Sequence, residues 1–352
     1  MTTTAEPVRV TPTAPSILAR TKTILFGRDA AVIGLLIVVW LVATAIVPNF
    51  GRPNTVYYLI LDVLPILLLA LPMTLVVVTG EIDLSVASMV GLSSVLVGVL
   101  YQAGWSIPLA ALVAIGVGLI GGALNGFLVT TVGLPSLAVT VGTLALFRGI
   151  AVGLLGTGAV TGFPGEYKDL VTDRLFGPGT AIPQILVVFV VLAVVFGVLL
   201  HFTPFGRSAY ASGLNAEASH FSGIDVHAVK FWLFVATGLV SGLVGIYWTL
   251  RYDSARGDNA QGLELSVVAA VLVGGVSIFG GRGAIPGVIA GVLVIGSLHS
   301  ALRLADVSAD AINIATGGLL VVSVIFPRIV TGIRRRIARI RRRGSRLGLA
   351  SD

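Results

Sequence analysis

The sequence predicts an all-α membrane protein of about ten transmembrane helices, built as two inverted five-helix repeats with broken or re-entrant helices. Three observations predict it. Of 352 residues, 56% are hydrophobic and 11% charged, against about 25% charged in an average protein. The apolar residues gather into runs of about 20, the length that crosses a bilayer as a helix. One stretch also occurs twice: Asp83-Leu84-Ser85-Val86-Ala87-Ser88-Met89-Val90 is echoed 181 residues later by Glu264-Leu265-Ser266-Val267-Val268-Ala269-Ala270-Val271.

Taken in order, residues 1–29 form a polar arm without the pattern of a cleaved signal peptide. The first span is 30–47, stopped by Pro48-Asn49. The second, 56–79, contains Asp62, Pro65 and Pro72, and two prolines in one span predict a broken or kinked helix. Spans follow at 84–101, 107–131 and 134–156, then a polar loop at 157–181. The remaining spans are 182–202, 231–250, 263–279, 284–302 and 311–326, with a second polar loop at 203–230. The repeats are then about 30–157 and 182–327, within a membrane domain of 30–327.

Charge sets the orientation. Residues 328–352 hold nine Arg and one Asp, so the net charge of +7 belongs to a basic tail rather than to a basic domain. Arg9, Arg20, Lys22 and Arg28 precede the first span. Positive charge at both ends and an even number of spans predict that both termini are cytoplasmic, with 157–181 outside and 203–230 inside. No folded module or aromatic platform accompanies the tail, which argues for anionic lipid over nucleic acid as its partner.

The chain has no Cys, which excludes disulfides and thiolate sites. No catalytic constellation and no metal site is read among its four His, and no GxxxxGK[ST] loop is present to hold ATP. An ATP-driven function therefore needs another subunit to supply the nucleotide site.

Several residues stand out. Gly118, Gly122 and Gly126 recur at every fourth position, as do Gly283, Gly287 and Gly291; such stripes let helices pack closely. Asp62 and Arg148 are the charges deepest in apolar surroundings, so mutual pairing or a water-filled cavity is expected. Glu81, Asp83, Ser85, Glu264 and Ser266 stand at the mouths of apolar runs, where they either cap helices or gate a path. Arg303 and His299 read as anchors near a helix end. In the loop 203–230, Asn215 reads as an N-cap, Ala216, Glu217, Ala218, Ser219, His220 and Phe221 as a short helix, and Ser222-Gly223 as its stop. Phe221 would be an exposed apolar knob covered by a partner or by lipid.

Gly80-Glu81-Ile82-Asp83-Leu84-Ser85, the loop Gly213-Leu214-Asn215-Ala216-Glu217-Ala218-Ser219 with Ser222-Gly223-Ile224, Ser254-Ala255-Arg256 and Val273-Gly274-Gly275-Val276-Ser277-Ile278-Phe279-Gly280-Gly281-Arg282-Gly283 together carry a resemblance. Over about residues 56–327 the chain resembles permease subunits of bacterial ABC sugar importers of the ribose/xylose/arabinose type, the autoinducer-2 and rhamnose permeases among them. The resemblance implies a non-enzymatic permease in the bacterial inner membrane, paired with an identical or sister permease. It further implies two cytosolic subunits that bind ATP and magnesium, and an extracytoplasmic solute-binding protein. Residues Asn215 to Gly223 would be the helix that couples to the ATPase. The chain departs from the family pattern at Glu81, where a second Gly is frequent, and at the bulky His220 and Phe221. The other reading is a secondary transporter driven by an ion gradient through Asp62, Glu81 or Asp83.

Overall fold

The computed structural model describes residues 28–308, 310–312, 314–315, 317–318 and 321; the N-terminal arm, most of the last predicted span and the basic tail lie outside the described residues. The elements are α1 (Arg28–Ile46), α2 (Pro53–Val78), α3 (Val86–Gln102), α4 (Ile107–Thr130), α5 (Ser136–Leu155), β1 (Ala159–Thr161) and α6 (Gly165–Thr172). After them come α7 (Leu186–Phe202), α8 (Pro204–Leu214), α9 (Ala216–Phe221), α10 (Val226–Tyr252), β2 (Ser254–Arg256), α11 (Leu263–Val273) and α12 (Ile285–Leu304). Among the described residues α2, α4, α5, α10 and α12 are long and apolar enough to cross a bilayer, and the α7–α8 pair, bent by 66°, makes a sixth candidate.

Helix α2 is apolar on all sides and is buried almost throughout from Leu59 to Val78, as such a helix must be when protein surrounds it. It packs against α11 and α12, with α7 and α10 also against it. Helix α10 in turn packs against α3 and α4. Apolar side chains on the outer faces of α4, α5 and α7 are exposed, Ile120 by 70% and Val194 by 60%. This is an integral membrane protein turning its Leu, Ile and Val rows to lipid.

The prolines do not break the second span, contrary to the first of the two expected outcomes. Helix α2 runs continuously through Pro65 and Pro72. Pro65 has no N–H for the Leu61 carbonyl four residues back, and the Tyr247 hydroxyl donates to that carbonyl instead, at 2.7 Å. The first break in helix comes at residues 79–85, between the expected second and third spans, where Gly80 takes φ +84°. A second break occupies residues 274–284, so α11 stops six residues before the expected end at 279. Its 11 residues span about 17 Å at 1.5 Å each, little more than half of a bilayer's apolar core of about 30 Å.

The polar loop 157–181 is more ordered than its composition suggests. Strand β1 pairs antiparallel with β2, Val160 opposite Ala255, and α6 follows. The Asp253 carboxylate accepts from the Phe163 N–H at 2.9 Å and pairs with Lys168 at 3.2 Å.

The glycine stripe of α4 lies against α10. A Cβ at Gly118 would overlap the Gly238 carbonyl oxygen, one at Gly122 the Phe234 carbonyl oxygen, and one at Gly126 would come within 2.9 Å of the Phe231 ring. The second stripe is shorter than expected. Gly283 precedes α12 and lies in the irregular segment at φ +154°, while Gly287 and Gly291 meet Gly274 and the end of α11. These contacts predict that Gly122→Val destabilises the protein by about 1–3 kcal/mol through overpacking. The same change at Gly116, which faces open space on the same helix, leaves the melting temperature in detergent unchanged.

Candidate functional site

At one end of the bundle a cavity of about 1190 Å³ opens between α2, α10, α11, α12 and the segment after β2. Its walls combine aromatic faces, Tyr58, Trp248 and Tyr252, with the polar groups of Asp62, Asn259, Gln261, Ser266 and Ser300. Asp62 does not pair with Arg148. Its carboxylate meets Arg303 at 3.2 Å and Arg251 at 3.7 Å, so Arg303 is an ion-pair partner on the cavity wall as well as a residue near a helix end. His299 lines the same cavity. At its rim Arg256 makes a two-pronged contact with Asp258 at 2.9 Å and 2.9 Å, which holds the Asp258 carboxyl below the ordinary carboxylate range.

Arg148, on α5, points instead to backbone oxygen. It donates to the carbonyls of Gly257 and Asn259 at 2.7 and 2.8 Å, and more weakly to that of Ala87 at 3.4 Å. Gly91 makes room for it, since a Cβ there would stand 2.6 Å from the guanidinium. The Asn259 amide also donates to the Ser94 hydroxyl at 2.8 Å, and Ser94 contacts Thr249 at 2.7 Å. Arg148 therefore ties the cavity's far wall to α5, and Asn259 ties it to α3.

Below the cavity lies a buried polar network at the first break. The Asp83 carboxylate, 1% exposed, accepts from the Ser85 N–H at 2.9 Å, the Ser85 hydroxyl at 2.6 Å and the Thr237 hydroxyl of α10 at 2.6 Å. The Asn125 amide of α4 donates to the Ser85 oxygen at 2.8 Å. Capping is not what Ser85 does: it sits at the N-cap position of α3, but its side chain accepts no helix N–H. The two copies of the repeated stretch also differ in register. Asp83 and Ser85 precede α3, whereas Glu264 and Ser266 lie inside the first turn of α11, whose N-cap is Gly262. At the same break, Glu81 pairs with Lys230 of α10 at 2.5 Å.

The opposite end of the molecule carries the bent arm. Helix α7 turns by 66° into α8, and α8 leads directly to α9. The Asn215 side chain accepts from the Ala218 N–H at 2.9 Å, the helix spans Ala216–Phe221, and Gly223 turns the chain at φ +84°. Phe221 is 82% exposed. Among the described residues no cluster of His, Asp or Glu is arranged to hold a metal ion.

Sequence reasoning missed Lys230, Asn125, Thr237 and Arg251. Lys230 is one of only three lysines, which was a usable signal; the others are single polar residues whose partners lie more than 35 residues away in the chain. The network predicts that Thr237→Val, which leaves a buried carboxylate one donor short, lowers stability by about 1–3 kcal/mol. Thr237→Ser, with the hydroxyl kept, recovers most of that loss in the same thermal-unfolding assay.

Comparison with known proteins gives a consistent result. A family model described as the branched-chain amino acid transport system / permease component matches residues 55–324. The autoinducer 2 import system permease protein LsrD of Salmonella paratyphi A is 32% identical over 306 residues, covering 85% of this chain and 91% of that protein. Its counterpart from Escherichia coli O157:H7 is also 32% identical, over 85% of this chain and 92% of that protein. No solved structure matches significantly. With most of its length matched by the family model and nearly all of these relatives covered, the chain belongs to the branched-chain amino acid transport system / permease component family.

Proposed function

We propose that this chain is the path-forming permease of an ATP-driven importer of a sugar-like solute, of the autoinducer-2, ribose or rhamnose class. The observation that carries the reading is α9, a capped helix with Phe221 82% exposed at the tip of a polar arm. A bulky apolar side chain held out in that way suits a groove on a partner better than solvent. The chain itself reads as having no nucleotide site, so ATP and magnesium belong to two cytosolic ATPase subunits. The permease names of the LsrD relatives support import of a sugar-like compound, although the family description mentions amino acids.

The cavity around Asp62 serves as the outer vestibule. Aromatic faces beside carboxylate, amide and hydroxyl groups suit a polyol, which offers C–H faces and hydroxyls. The inverted repeat rests on the doubled stretch at Asp83 and Glu264, and the halves pack closely: α10 lies on α2, α3 and α4, and α2 also on α11 and α12. In this reading the membrane is crossed about ten times, both termini are cytoplasmic, and a second permease copy or sister chain completes the pore. A solute-binding protein delivers the ligand to the β1–β2 end. Glu81, Asp83, Ser85, Arg148, Glu264 and Ser266 frame the path.

Phe221→Asp is expected to weaken ATPase binding by about 2 kcal/mol or more, some 30-fold, as for an interface anchor. Co-purification with the ATPase and ATP-dependent sugar uptake in proteoliposomes read this out. Unaltered association, or uptake driven by a proton or sodium gradient without the ATPase, refutes the importer reading. Ligand screening of the cognate binding protein tests the substrate class: sugars are expected, and selective binding of branched-chain amino acids excludes them.

A further inference from the structure

We propose that Gly213 and Tyr210 of α8 are positioning residues that tie the coupling arm to both helix breaks at once, so that one movement of the arm shifts the two breaks together. The proposal rests on the reading of α9 as the ATPase-coupling helix. It concerns how that motion reaches the membrane path, which neither the family match nor the named relatives address.

The geometry is a seam made of backbone. The break after α2 and the break after α11 come from opposite halves of the chain, yet the Gly281 N–H donates directly to the Val78 carbonyl at 2.8 Å. Gly213, at the end of α8, lies on that bond. A Cβ there would overlap the Val78 carbonyl oxygen and stand 2.5 Å from the Gly281 nitrogen. Gly280, at φ +78°, closes the seam from the other side: a Cβ on it would fall 2.7 Å from the Gly213 oxygen and 3.0 Å from the Gly80 nitrogen. One turn earlier on α8, the Tyr210 hydroxyl donates to the Gly283 carbonyl at 2.5 Å.

Contacts of this kind transmit displacement. A side chain can absorb a small shift by changing rotamer, but backbone against backbone has no such slack. The arm therefore cannot turn without moving residues 78–80 and 280–283 with it. The motion has a route onward, since the first break also carries Glu81, paired with Lys230, and Asp83, bonded to Thr237. Both partners lie on α10, whose far end supplies Trp248 and Tyr252 to the vestibule. Seam and vestibule are thus joined by α10, and also by α2, which carries Val78 at the seam and Asp62 at the vestibule.

The test uses the complete complex with its ATPase subunits and binding protein in proteoliposomes, and reads sugar uptake per ATP hydrolysed. Gly213→Ala is expected to keep ATPase association and hydrolysis while uptake per ATP falls about tenfold, the size of a typical coupling between sites. Tyr210→Phe, which removes the hydroxyl that bonds Gly283 and keeps the ring, is expected to lower the same ratio about threefold. Gly116→Ala, which faces open space on α4 away from the seam and the coupling helix, serves as a control and leaves the ratio unchanged. An unchanged ratio in both seam variants overturns the proposal, as does a loss of uptake that only follows lost ATPase association. Should Gly213→Ala fail to assemble, Tyr210→Phe decides alone, and an unchanged ratio there is a refutation. Absence of ATP-driven uptake by the unaltered complex is a different result: it removes the importer reading, and the proposal with it.

Discussion

Where helices stop inside a packed bundle, the freed backbone groups that water cannot reach need partners from the protein itself. That constraint organises this molecule. The break after α2 and the break after α11 meet, and a backbone bond from Gly281 to Val78 joins them. In the first break the N–H groups of Gly80 and Glu81 turn back onto the Val77 and Val76 carbonyls, while Ile82 is held by side chains of α5. Ile82 N–H donates to the Ser136 hydroxyl at 3.3 Å, and Thr140 donates to the Ile82 carbonyl at 3.3 Å. Glycines at the seam follow from the same demand, because only residues without Cβ let three backbone segments approach this closely.

Charge is managed by a second rule, in which burial decides the kind of partner. Asp83 is fully enclosed and is held by hydroxyls and an amide N–H, neutral donors that fit into a packed core. Asp62 faces a cavity, and there two long guanidinium side chains have room to reach it. Arg148 has carbonyl oxygens as its partners, which spreads its charge over a loop and fixes that loop in place. Pairing Asp62 with Arg148 was reasonable from depth alone. It fails because depth along the membrane says nothing about which side of the bundle a residue faces.

Much of the scaffold was legible in the residues. The apolar runs locate the long helices, the α4 glycines mark a close helix contact, and Asn215 with Gly223 brackets α9 to the residue. What escaped was whatever depends on partners distant in the chain. The prolines of α2 looked like a break, but Tyr247 from α10 satisfies the carbonyl that Pro65 frees, and the helix continues. The interruption falls instead at 79–85, the gap the apolar runs already leave between the second and third spans. Likewise β1 was invisible because a three-residue strand has no periodicity to read; it exists through its pairing with β2, 95 residues later.

The two ends of the molecule are built from different materials, and that difference bears on how such a path operates. Side chains line the cavity end, where rotamers can adapt and ion pairs can rearrange at small energetic cost in a wet space. Backbone seals the other end, where partial movement is disfavoured because a separated carbonyl would be left without a donor in apolar surroundings. A seam of that type favours two arrangements over a continuum between them. An adaptable mouth combined with a floor of that type suits a carrier that releases its load only when driven, and α2 and α10 both reach from one to the other.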